Sequence, residues 1–315
     1  MNETLARCDL CQNDNFKILQ EFTDPLDKDN KFNLVKCSKC GLIFVNPRPT
    51  QNDMGKYYDT GYFFSNTTDS YGLFSGNRAK RISRSIPKSG NLLDIGSGKG
   101  LFLAEMKKKG WNVWGIDPTV EIRDYACKTY NLPGNQVLNA YLENAKLPEK
   151  YFDLVTMWHV FEHVHSPGNT LETINKLCKK GSILILEIPN VDSISRIFGY
   201  NSQLIDIPKH LFYFTPSTIK KMLESHGWDV EKIRHGFNIF SAFVDFKIGL
   251  LRYFGVYKNI SKIKSKPYFS KNNQRGDNTL WSTLRLLFNL ACLIPVLAGV
   301  VLKKSPIITV WAQKK

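Results

Sequence analysis

Leu92-Leu93-Asp94-Ile95-Gly96-Ser97-Gly98-Lys99-Gly100-Leu101-Phe102-Leu103 is the stretch that decides the fold. An apolar run ends in an acidic residue, three glycines follow at alternate positions, and a helical pattern begins. This reads as a strand, a tight turn and a helix N-terminus. Glycine lets the backbone take positive φ and pass close to a ligand. The helix N-terminus offers free N–H groups and a positive partial charge. A nucleotide-type cofactor site at the carboxyl end of a parallel strand is the expected result.

The spacing G-x-G-x-G differs from the dinucleotide fingerprint G-x-G-x-x-G. Lys99 is followed by Gly100, so the P-loop pattern fails as well. A second acidic residue, Asp117, closes the next apolar run, Trp111-Asn112-Val113-Trp114-Gly115-Ile116. A carboxylate there can accept both hydroxyls of a ribose. Asp-Ile-Gly-Ser-Gly-Lys-Gly resembles the first motif of class I methyltransferases that use S-adenosylmethionine. The resemblance implies a doubly wound, Rossmann-like α/β fold with a seven-stranded sheet. It also implies cofactor contacts from Asp94, Gly96, Ser97, Gly98, Gly100 and Asp117.

The chain of 315 residues is long enough for a full α/β core and one small extra module. A hydrophobic fraction of 43% and a charged fraction of 23% are ordinary for a globular protein, but a formal net charge of +15 is not. It points to an anionic partner: nucleic acid, a membrane surface, or a phosphorylated or carboxylated substrate. Cys8, Asp9 and Asp14 fall where a signal peptide would need its apolar core, so a cytoplasmic location is expected. Cys127, Cys178 and Cys292 lie in apolar or helical contexts and read as reduced core residues.

Cys8-x-x-Cys11 and Cys37-x-x-Cys40-Gly41 are separated by 25 residues. Two such pairs supply four thiolates for a tetrahedral zinc with no open position, which is a structural site. Phe32-Asn33-Leu34-Val35-Lys36 reads as a strand leading into the second pair, and the unit as a zinc ribbon. An apolar strand, Leu42-Ile43-Phe44-Val45, is then stopped at Pro47 and Pro49. Tyr57, Tyr58, Tyr62, Phe63 and Phe64 cluster around Gly61. They either pack the ribbon onto the next domain or form a lid, and Tyr62 is the candidate with a catalytic role. The double Cys pair, the phrase Cys40-Gly-Leu-Ile-Phe-Val-Asn-Pro-Arg-Pro-Thr50, the tyrosine-rich segment and the glycine motif together resemble zinc-ribbon class I methyltransferases. That group includes sugar C-methyltransferases and enzymes of surface-polysaccharide gene clusters.

From about 90 to 238 strands and helices alternate, as in a parallel sheet with helices on both faces. Helices are expected at 100–109, 119–130, 167–178 and 217–225, with Thr215 capping the last and Pro216 starting it. The family resemblance places Tyr141 and Leu142 beside the adenine. Phe152–Trp158 reads as a strand whose end lies across the crevice from the glycine loop, so Trp158 and His159 are candidates to line the methyl-transfer pocket. His159, Glu162 and His163 would share one face if helical. Some quinone-precursor methyltransferases of similar sequence hold a divalent ion with a carboxylate–histidine cluster here. His159 stands where one of those carboxylates is expected. His210, beside Lys209 and Asp206 in a loop, is the candidate general base, since imidazole titrates in the useful range.

Residues 246–275 carry Lys247, Arg252, Lys258, Lys262, Lys264, Lys266, Lys271 and Arg275 without an Asp or Glu, interleaved with aromatics. No RNA-binding motif accompanies them, so a nucleic-acid partner is disfavoured and peripheral membrane contact through 246–302 is an open alternative. The apolar run 280–302 has a polar stripe (Ser282, Arg285, Asn289, Cys292) and Pro295. It precedes 305–312, which reads as the last strand of the sheet, so a single span would be topologically impossible. The expected organisation is a zinc ribbon at 1–50, an aromatic linker or lid at 51–89, a methyltransferase domain at 90–240 plus 305–315, and a basic, apolar helical insertion at 241–304. The resemblance implies a small-molecule acceptor, a sugar nucleotide or lipid-linked sugar of cell-surface polysaccharide. Alternatives are a lipid or quinone precursor, RNA, or a non-catalytic scaffold that binds the cofactor.

Overall fold

The computed structural model describes residues 2–58, 68–200, 205–235 and 279–315, together with Phe246 and Leu250. Tyr62 and most of 246–275 lie outside the described residues.

The N-terminal module contains β1 (Asn2–Glu3), β2 (Phe16–Thr23), β3 (Lys31–Cys37), β4 (Ile43–Val45) and β5 (Arg48–Pro49). β1 and β5 form a small antiparallel ribbon. Helix α1 (Thr68–Ser85) leads to the motif strand β6 (Asn91–Ile95). Then come α2 (Leu101–Lys108), β7 (Asn112–Asp117), α3 (Val120–Tyr130), β8 (Val137–Asn139), β9 (Phe152–Trp158), α4 (Pro167–Leu177) and β10 (Cys178–Pro189). The chain continues through β11 (Phe212–Tyr213), α5 (Pro216–Ser225), β12 (Trp228–His235), α6 (Thr279–Val301) and β13 (Ile307–Lys314).

The main sheet has seven strands in the order β12-β13-β10-β9-β6-β7-β8. β13 runs antiparallel to both neighbours, and the pairs from β10 to β8 are parallel. β6 is flanked by β7 and β9, so the order reverses beside it. Sheets of this kind bind ligands at such a switch point, outside the carboxyl ends of the strands. The parallel strands read as continuous apolar runs because both of their faces are covered; Leu92, Leu93, Leu154, Val155, Leu184 and Ile185 are fully buried.

Local signals set the helix ends. Thr215 accepts from Thr218 N–H while the Thr218 hydroxyl takes Thr215 N–H, and Pro216 opens α5. Ser166, ahead of Pro167, caps α4 by accepting from Asn169 N–H, without a return bond.

β11 belongs to the other sheet. It pairs with β4, giving the order β11-β4-β3-β2. The N-terminal sheet thus borrows a strand that lies directly after His210. One apolar core runs through both sheets, from Val35, Leu42 and Phe44 to Leu93, Val155 and Leu186. No helix among the described residues is long and apolar enough to cross a membrane.

Candidate functional site

The glycine loop follows β6 at the switch point. Gly96, Gly98 and Gly100 have φ of +71°, +50° and +74°, where an L side chain is strained. Their surroundings differ. A Cβ on Gly96 would stand 2.4 Å from Val160 Cγ2, and one on Gly100 would stand 2.7 Å from Ala126 Cβ. A Cβ on Gly98 would meet nothing within 4 Å. Gly96 and Gly100 therefore serve packing, whereas Gly98 borders open space. Gly115, on β7, closes the loop from below; a Cβ there would meet Ser97 Oγ at 2.8 Å.

Asp117, at the end of β7, accepts from Gly98 N–H (3.0 Å) and Thr119 N–H (2.9 Å). Each of its oxygens keeps accepting capacity. Burial pushes its pKa above the ordinary carboxylate value, against the pull of those two N–H groups. Asp94 is fully buried and takes the Thr156 hydroxyl at 2.6 Å, a pairing set by the β6–β9 register. Desolvation pushes its carboxyl up to about 7. Ser97 Oγ is buried without a hydrogen bond among the described residues. An orphan hydroxyl, an open glycine and a carboxylate with spare acceptor sites suit a polar nucleoside ligand. Leu142 is buried at the start of a 3-10 turn, and Tyr141 before it is 44% exposed.

Across the crevice, 159–163 forms a turn where a helix was the alternative, so His159 and His163 part company. His159 takes φ +57° and lies 3.4 Å from both Glu162 and Glu187. Burial disfavours its charge, but the two carboxylates prevail and raise it to about 9. Glu187, on β10 opposite Trp158, also pairs with Arg78 from α1. Arg78 lies over the Trp158 ring, 4.4 Å from its centroid, and the Phe102 ring meets Trp158 in a T-shaped contact at 5.2 Å. Arg78 and Glu187 escaped the sequence reading because each is one charged residue in an unremarkable helix or strand.

His163 turns the other way. Its Nδ1 donates to Lys209 O at 2.8 Å, since a carbonyl can only accept, and Tyr58 Oη is 3.1 Å from the same nitrogen. Its Nε2 keeps the lone pair. Burial and the neighbouring His210 lower it to about 4, which leaves it neutral. The His210 ring stands edge-on to His163 at 4.7 Å between centroids. Leu211 and Phe212 N–H both donate to the Glu162 carbonyl, which ties the His210 loop to this turn. The Glu162 carboxylate is 1% exposed, and apart from the His159 ring at 3.4 Å neither oxygen has a hydrogen-bond partner among the described residues. Glu162, His163 and His210 bring their ligand atoms within 4.8 Å of one another. Two imidazoles and a carboxylate are a donor set that can hold a divalent ion. His159, whose spacing would put it on one helical face with Glu162 and His163, stands outside this group, and His210 is in it.

At the other end of the N-terminal module, Cys8, Cys11, Cys37 and Cys40 converge, with ligand atoms within 4.8 Å. Cys8–Cys40 and Cys11–Cys37 sulfur pairs are 3.5 Å apart. Zinc–sulfur bonds of 2.3 Å in a tetrahedron put sulfurs about 3.8 Å apart, so the four thiols fit the ion with little movement.

A family model described as "Methyltransferase domain" matches residues 74–233. This chain belongs to that methyltransferase family. The matched segment contains the glycine loop, Asp117, His159 and His210. Among curated relatives, the ubiquinone biosynthesis O-methyltransferase of Hydrogenovibrio crunogenus is 27% identical over 147 residues, covering 43% of this methyltransferase and 61% of that protein. The protein of the same name from Aeromonas salmonicida is 29% identical over 163 residues, covering 47% and 68%. The match thus spans about three-fifths to two-thirds of these relatives. A SAM-dependent methyltransferase from Archaeoglobus fulgidus is a structural neighbour at 22% identity and TM-score 0.46, covering 76% of this chain and 94% of that one. Another, from Thermotoga maritima and titled a possible histamine N-methyltransferase, is 16% identical at TM-score 0.47, covering 81% and 99%.

Proposed function

We propose that the protein is an S-adenosylmethionine-dependent methyltransferase that modifies a hydroxyl of a small acceptor. The open space at Gly98 beside Asp117, facing a histidine–carboxylate turn across the switch point, is the observation that carries this reading. Asp117 receives the ribose hydroxyls, the Gly98 backbone lies against the cofactor, and Leu142 and Tyr141 flank the adenine. S-adenosylmethionine supplies a methyl group on a sulfonium sulfur. The protein's own share is to align the acceptor and remove its proton.

His210 is the proton acceptor in this reading. His159 is held as an imidazolium at neutral pH by Glu162 and Glu187, which suits it to orient an electron-rich acceptor oxygen rather than to take a proton. Trp158 forms the wall beneath, and Tyr62 remains a catalytic candidate on its sequence alone. Zinc in the four-cysteine cluster holds the N-terminal sheet, and with it the β4–β11 pairing that anchors the His210 loop.

The sequence resemblance favours a sugar of cell-surface polysaccharide as acceptor. The names of the curated relatives favour a quinone or lipid precursor, and we adopt that class. Calorimetric titration with S-adenosylhomocysteine, NADH and ATP, with zinc measured on the same sample, tests the core of the reading. Binding of the homocysteine compound alone, lost in Asp117→Ala, is expected. Failure to bind it, or equal binding by Asp117→Ala, overturns the assignment. Turnover on a hydroxylated aromatic with an apolar tail, and none on nucleotide sugars, is the expected acceptor profile.

A further inference from the structure

From 286 to 301 helix α6 has no charged residue and a single amide side chain, Asn289. A helix of that composition is normally covered all round. Here one face is covered: Cys292 and Val296 are buried with Phe246, against Ile194 and Leu250. Gly299 brings this face close to its neighbours; a Cβ there would stand 3.0 Å from Ile194 Cγ2. On the opposite face Leu290, Ile294, Leu297 and Val301 are 50, 70, 44 and 81% exposed. Their spacing of four, three and four residues makes one continuous stripe. Leu302 and Ile197, at 64 and 61%, add to the exposed apolar surface.

The sequence that flanks this stripe is strongly basic. From 246 to 315 the sequence has thirteen basic residues and one acidic residue, Asp277. Twelve of the fifteen net positive charges therefore fall in this last part of the chain. The stripe itself is bracketed by Arg285 and Lys303. A second copy of the chain on this face would set these charges against themselves. A nucleic acid would leave the stripe in water. An anionic lipid surface satisfies both, with leucine, isoleucine and valine side chains among the acyl chains and lysines at the headgroups.

We infer that α6 lies in the plane of an anionic membrane, exposed stripe inward, and docks the protein there. The docked face adjoins the catalytic end of the sheet. The C-terminal end of α6 is bonded to the loop after β10: Ile194 N–H donates to Lys304 O, and Asn190 donates to Ser305 O. β10 itself ends at Pro189, on the side of the glycine loop and His159. A membrane-bound acceptor would thus approach the side of the sheet where methyl transfer is proposed. That last step rests on the methyltransferase reading; the docking itself does not.

The test is co-sedimentation of the full chain with vesicles of phosphatidylcholine alone or mixed with phosphatidylglycerol. The comparison protein is the triple variant Leu290→Gln/Ile294→Gln/Leu297→Gln, whose changes are exposed and leave the buried face intact. Wild type is expected on the mixed vesicles only, more weakly at high salt. The variant is expected to bind about a hundredfold less, since three apolar side chains leave the lipid. Its melting temperature and S-adenosylhomocysteine binding should match wild type. No binding of wild type to anionic vesicles, or equal binding by the variant, overturns the inference. So does a wild-type dimer in sedimentation velocity that the variant dissolves. Vesicle binding without homocysteine binding would leave docking standing and remove the methyltransferase reading, so the two fail separately.

Discussion

Gly98→Ala and Gly100→Ala should separate ligand binding from folding. Both glycines have positive φ, so an alanine at either costs about 1–2 kcal/mol of backbone strain. At Gly98 that is the whole structural cost, because the new Cβ meets nothing within 4 Å. At Gly100 the Cβ would also stand 2.7 Å from Ala126 Cβ and 2.9 Å from Leu132 Cδ1. Ala126 is fully buried and cannot swing aside. Overpacking adds about 1–3 kcal/mol, so the total for Gly100→Ala is about 2–5 kcal/mol. At about 2–4 °C per kcal/mol for a domain of this size, Gly98→Ala should melt a few degrees low and Gly100→Ala markedly lower. Ligand binding should invert the order. The Gly98 methyl fills the space assigned to the cofactor, so S-adenosylhomocysteine should neither titrate nor raise the melting point of Gly98→Ala. Gly100→Ala, measured well below its melting point, should retain binding. Differential scanning fluorimetry with and without the homocysteine compound reads both effects, with calorimetry for affinity. Near-normal binding by Gly98→Ala would refute the assignment of that space to the cofactor.

Replacing Arg78 with methionine leaves Glu187, 2% exposed, with His159 as its remaining cationic partner; a loss of about 1.5–3 kcal/mol is expected in urea unfolding. Adding Glu187→Gln should recover much of it, and failure to recover would refute the pairing as the cause. His159 should titrate near 9 by NMR, and Glu162→Gln or Glu187→Gln should each lower that value. Because the folded value lies above 6.5, the stability that His159 adds is fully present below about pH 6.5 and fades as pH rises through about 9. The destabilisation caused by His159→Gln should shrink over that window; a cost that stays constant with pH would exclude the charged pairing. Cys37→Ser should release a single zinc per chain in a colorimetric assay and lower the melting temperature. Full zinc retention would remove Cys37 from the ligand set.

The sheet was legible in the sequence because its strands are apolar runs punctuated by glycine, proline and acidic residues at the right places. β6, β7, β9 and β10 appear within a few residues of where their patterns put them. The four cysteines announced their cluster by spacing, since two tight turns can present four thiols with little help from the rest of the chain. The helices declared their starts through Pro167, Thr215 and Pro216, whose side chains act on their own backbone, while the cap at Ser166 came from the structure. Each of these signals is local, and local chemistry survives in a one-dimensional string.

The site's polar groups were only partly legible. His159, Glu162 and His163 are close in sequence, and three- and four-residue spacing suggested a shared face. The chain turns there instead, so His159 faces Glu187 and His163 faces His210. Arg78 reaches Glu187 across 109 positions, and His210 meets His163 across 47. No periodicity encodes such distances. The sequence by itself determined that this is a glycine-loop α/β protein with a four-cysteine module and a basic C-terminal part. Only the tertiary structure decided which charges meet, that β11 joins the N-terminal sheet beside His210, and that one side of α6 is left uncovered. Packing brings together groups that share no local pattern, and the burial that results sets which of them carry charge.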